Sequence, residues 1–77
     1  MKYIIFEKPE GLPTPISFPE WIEHIDMATL MLPNRPINAA HYDIVDNKVI
    51  IHGQSVSLKI GPGPDDMEIL QKLLIRE

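Results

Sequence analysis

Apolar and polar positions along this chain change their spacing several times, and each change marks an element. Residues 48–60, KVIIHGQSVSLKI, form the longest run dominated by β-branched and apolar side chains. Turn formers close it on both sides, Asp46-Asn47 before it and GPGP after it. The run predicts one long strand, or two strand halves jointed at Gly53, supplying the floor of a small core. Its inward phase switches midway, because Val49 and Ile51 are in phase with each other and Val56, Leu58 and Ile60 are out of phase with them. A bulge or sharp bend at Gly53 returns both sets to one side; a full reversal into two strands is the alternative.

From the start of the chain, residues 2–7, KYIIFE, read as a short strand with apolar groups on both faces. The prolines of 9–15 make a loop of largely fixed course, since each restricts itself and the residue before it. Residues 16–18 add a brief extended piece. Ser17-Phe18-Pro19-Glu20 matches a capping box with proline in the first turn, which predicts a helix over 19–31. At about 100° per residue its inward stripe is Trp21, Ile25, Ala28 and Leu32, with Ile22 beside it. Met27 and Leu30 then face outward, either because the helix ends early or because they meet a partner.

Residues 37–45 alternate so that Ala40, Tyr42 and Ile44 point inward and His41 and Asp43 outward. Asp46-Asn47 is a two-residue hairpin turn, as both side chains tolerate positive φ. A last helix is predicted over 64–75, with Asp65 and Asp66 in its first turn, Arg76 at its end and a stripe of Met67, Leu70, Leu73 and Leu74. Glu68 and Lys72 form an i,i+4 pair in the favourable order. Together these elements predict one α+β domain over 1–77, a small and mostly antiparallel sheet of three to four strands with two helices packed on one face.

Size and charge narrow the function. A chain of 77 residues buries only about 60% of the surface its unfolded form exposes, so the core is thin and self-association is a natural source of stability. The chain has no cysteine, which removes disulfides, thiolate metal sites and a thiol nucleophile. Seven basic residues, scattered, stand against eleven acidic ones. Phosphate binding draws on clustered Lys and Arg, so nucleic acid is not an expected partner. No apolar stretch approaches the roughly 18 residues a membrane span needs, and the chain reads as soluble and cytoplasmic.

Three histidines invite a metal reading, with His24, His41 and His52 as ligands. Their spacing does not support it: His24 and Asp26 diverge on a helix, His41 and Asp43 lie on the outward strand face, and no His-x-x-x-His pair exists. Ser17 reads as a cap, and Ser55 and Ser57 as outward strand hydroxyls without a glycine-flanked elbow. The pairs Asp65-Asp66 and Glu20-Glu23 sit at helix N-termini, where acids stabilise without chemistry. The GPGP segment lacks the Lys and Ser/Thr of a phosphate loop. Trp21 reads as core. No catalytic residue and no cofactor is assigned, and an enzyme is not expected.

The order of KYIIF, PISFPEWIEHIDMA, HYDIV…HGQSVSL and PGPDDMEILQKLL resembles small uncharacterised proteins of bacteriophage and prophage genomes. The shared steps are F-P, H-x-D-x-A (His24, Asp26, Ala28), G-x-S-x-S-L (Gly53, Ser55, Ser57, Leu58) and a P-x-D helix start. The resemblance implies a phage-type origin and a small α+β domain, with no activity to carry over. The expected function is a non-enzymatic interaction or structural module that binds a protein partner or itself, with Met27, Leu30 and Met31 as contacts. The alternative is a small metal- or ligand-binding protein using His24, His41 and His52. Imidazoles converging on a shared cavity would favour that alternative.

Overall fold

The computed structural model describes residues 1–8 and 10–75. Pro9 of the first loop and Arg76, read above as a helix-dipole partner, lie outside the described residues. The elements run β1 (Lys2–Glu7), β2 (Pro13–Phe18), α1 (His24–Leu30), β3 (Arg35–Val45), β4 (Lys48–His52) and α2 (Asp66–Leu74). The four strands form one antiparallel sheet in the order β2-β1-β3-β4. The α+β class is the one predicted, and no helix among the described residues is long and apolar enough to cross a membrane.

β1 organises the domain, not the 48–60 run. Every residue from Lys2 to Phe6 is buried, and the strand lies between β2 and β3. Because both of its faces are apolar, both must be covered, and this overturns the expectation of two helices on one face. Tyr3 and Ile5 join Ala40, Tyr42, Val49 and Leu70 under α2. Ile4 and Phe6 join Phe18, Ala28 and Ala39 under α1. β2 reaches further back than the predicted 16–18. It is an edge strand, and there Pro13 and Pro15 have no ladder bond to lose.

α1 is shorter than predicted and turned. The 19–22 segment forms a turn, with Ile22 N–H donating to Pro19 O at 3.2 Å, and the helix begins only at His24. Its buried residues become His24 and Ala28. Met27 and Met31 pack partly buried against the core, so of the three expected contacts Leu30 alone stands well exposed. The capping box does not form: Ser17 lies in β2, and its hydroxyl meets the hydroxyl of Tyr42. α2 buries Asp66 and Leu70, with Ile69 and Leu74 partly buried, and leaves Met67 and Leu73 exposed. The Glu68–Lys72 pair forms as expected, at 3.3 Å.

The Asp46-Asn47 turn has both residues at positive φ, 50° and 62°, as a two-residue hairpin of this hand requires. β4 stops at His52, and Gly53 at φ +68° ends it. Residues 55–60 close a tight turn through paired bonds between Ser55 and Ile60, so the second half of the 48–60 run is not strand. The chain then rounds the sheet beyond β4. Leu58 and Ile60 pack on the α1 face, Gly61 O accepts from Ala39 N–H at 3.2 Å, and Gly63 N–H donates to Asp66 on the α2 face.

Candidate functional site

The hairpin register sets His41 directly opposite His52. Both project onto the α1 face, where the rings stack with centroids 5.7 Å apart and planes 17° from parallel. His24, the first residue of α1, brings its ring edge-on to His41 at 5.5 Å and to Phe18 at 5.4 Å. The three imidazoles that looked scattered in the sequence thus form one continuous row.

Each ring is tied by a different element. The buried His24 ring holds Ala40 O at 3.0 Å through Nε2. A carbonyl only accepts, so Nε2 carries the proton. His41 Nδ1 lies 3.3 Å from Glu20 Oε2, and the other Glu20 oxygen takes the N-terminal ammonium at 2.8 Å. His52 Nε2 pairs with Asp43 Oδ2 at 3.0 Å. Lys2, buried and opposite His41 across β1 and β3, donates to Ile22 O at 2.8 Å. Gly53 passes close under the row: a Cβ there would come 3.1 Å from His41 Cδ2. Its positive φ and this close approach both call for glycine.

The electrostatics follow from these contacts. Burial, then the charges of Lys2 and His41, hold His24 below the ordinary imidazole value, while the Ala40 bond and Glu23 act the other way. The hydrogen bond from the N-terminal ammonium is the main cause that lowers Glu20. Carboxylates stand at two of the three rings, Glu20 at His41 and Asp43 at His52, and among the described residues none is bonded to His24.

Among the described residues no group of three or more His, Asp or Glu is placed to hold a metal ion. The three serines are engaged in structure: Ser17 with Tyr42, Ser55 accepting from Leu58 N–H, and Ser57 accepting from Ile25 N–H. None of these bonds activates a nucleophile. Asp66 stands in the first turn of α2 as expected and is fully buried; it accepts from Tyr3 at 2.6 Å, Asn38 at 3.0 Å and Gly63 N–H at 2.8 Å.

Beside the row stands Trp21, 83% exposed in the turn that replaced the predicted first turns of α1. Ile25 and Leu30 are exposed on the adjoining helix. The Ile25–Ser57 bond brings the 55–60 turn, with its exposed Val56, against the start of that helix. The signal for the histidine row was present in the sequence: His41 and His52 stand at equal distances from the Asp46-Asn47 turn, so a two-residue hairpin must face them. Trp21 carried no such signal, since its exposure follows from where the helix begins.

Comparison with protein-family models, with curated proteins and with solved structures returns no match for this chain.

Proposed function

We propose that this chain is a non-enzymatic protein-interaction module that engages a partner through its α1 side, with Trp21 as the anchor. The observation that carries the reading is the 83% exposure of the only tryptophan. A tryptophan left in water gives up the burial its size would otherwise bring, and tryptophan is enriched among residues that dominate binding energy. Glu23 and Asp26 are exposed beside it, and neither is in an ion pair among the described residues. Charge complementarity therefore favours a partner that sets basic side chains around an apolar socket. A second copy meeting this same surface would oppose like charges. A phage or prophage origin, implied by the motif order, and a cytoplasmic setting belong to the same proposal.

The test is capture from the source cells with matched baits: the wild-type domain, Trp21→Ala and Glu23→Lys/Asp26→Lys. The reading expects one partner retained by the wild type and lost with both variants, with circular dichroism unchanged. A partner held equally by Trp21→Ala would contradict it. The contact of the three imidazoles favours a second reading, ligand or metal binding at His24, His41 and His52. Titration calorimetry with zinc and nickel separates the two, because the interaction reading expects no saturable heat that the triple alanine variant abolishes.

A further inference from the structure

The sheet has a second feature to account for, at the edge opposite β2. β4 is an end strand, paired on one side only with β3. In that antiparallel ladder, hydrogen-bonded and non-bonded pairs alternate, so the main-chain groups of Val49 and Ile51 point away from β3. α2 runs alongside, and an open groove of about 590 Å³ lies between them, with Val49, Ile50, Met67 and Gln71 in its walls. Gln71 closes part of this edge with its side-chain amide. Its Oε1 accepts from Val49 N–H at 2.9 Å, and its Nε2 donates to Asn47 O at 2.7 Å. One side chain thus supplies both an acceptor and a donor where a neighbouring strand would supply them.

We infer that the β4 edge is a self-association surface for a second copy of this chain, and that Gln71 is the latch that closes it. A strand edge is complementary to itself in antiparallel register. A two-fold axis at Ile50 sets Val49 against Ile51 of the other copy twice over, forming four main-chain bonds. The side chains agree with that register. Ile50, 47% exposed, meets its own copy on the axis. Lys48, in no ion pair among the described residues, comes opposite His52 of the other copy, which holds Asp43. Each cation is thereby brought beside the other chain's histidine–carboxylate pair. Natural edges are commonly blocked against such pairing, and Gln71 provides the block with groups that can be withdrawn.

Sedimentation equilibrium of the wild type, Gln71→Ala and Gln71→Ala/Ile50→Lys tests this. Removing two competing hydrogen bonds is expected to tighten dimerisation by about tenfold or more. The double variant, with like charges facing on the axis, is expected to return to the wild-type value or weaker. A folded Gln71→Ala chain that sediments as the wild type does would overturn the inference, and so would a Gln71→Ala dimer that ignores Ile50→Lys. Should Gln71→Ala lose its fold, Gln71→Glu carries the same test. It keeps the acceptor for Val49 N–H but loses the donor to Asn47 O, so tighter association than wild type is expected of it, and unchanged association overturns the inference.

Discussion

On the α2 face of the sheet, Tyr3, Asn38 and the Gly63 N–H converge on the buried carboxylate of Asp66. On the α1 face, the sheet presents Lys2, His41 and His52, and α1 lays His24 against them. Both faces bury polar groups among aliphatic neighbours, but they use charge in opposite ways. The α2 network gathers three donors on one buried carboxyl group and contains no histidine. Burial, helped by the Asp66 bond and charge, pushes the Tyr3 phenol far above its usual range, so the network stays intact well into base. The α1 row is built from the one side chain whose ordinary value lies in the physiological range. The difference teaches that the first face is a fixed seal, and that the second loses stability when the buried His24 is charged.

The largest expected effect comes from breaking the seal. Asp66→Ala strands a phenol, an amide and a backbone N–H, and is expected to cost about 3 kcal/mol. That is a large part of the roughly 4–12 kcal/mol available to a chain of this length. The urea midpoint measures it, and a loss under about 1 kcal/mol would show that the network is not a seal. Gly63→Ala attacks the same point sterically, because a Cβ there falls on the Asn38 amide that holds Asp66. Overpacking of this kind is expected to cost about 2 kcal/mol by the same measurement.

The α1 face is probed by acid. In the unfolded chain His24 takes up a proton near pH 6.5; in the fold its value is lowered, mainly by burial. Its contribution is complete above the unfolded value and is lost as pH falls through the window beneath it. The wild type is therefore expected to lose stability below about pH 6.5, and His24→Phe to lose less over the same range. Denaturation curves at stepped pH decide this, and equal slopes for the two proteins would count against it. Trp21→Ala sharpens the comparison from the other side: removing the largest side chain in the chain is expected to shift stability by only about 0.5 kcal/mol, because it seals neither face.

Much of this was legible in the residues. The strand at 2–7, the hairpin at Asp46-Asn47 and the last helix follow from alternation, turn chemistry and helical spacing, which are local. The two-sided apolar pattern of β1 already demanded cover on both faces, although two helices on one face was the simpler expectation. Ser17 and Glu20 fit a capping box, yet Tyr42 and the N-terminal ammonium, both distant in sequence, claim them instead. That tertiary competition moved the start of α1, and with it Trp21 from core to surface, while His24 became its first buried residue. Asp66 was legible as an acid in the first turn of α2, but its burial was not, because its partners Tyr3 and Asn38 are distant in sequence. The histidine row was legible in part, through the hairpin symmetry of His41 and His52, but His24 joins it only through the packing of α1.

Amide hydrogen exchange compares the two faces within one molecule. Protection factors would be measured at pH 7.5 and at pH 5.5 for Ala28 and Met27 of α1 and for Ile69 and Leu70 of α2. Loss of protection at the lower pH concentrated in α1, with α2 unchanged, is the predicted result. Equal loss in both helices, or loss confined to α2, would contradict the division of labour between the two faces.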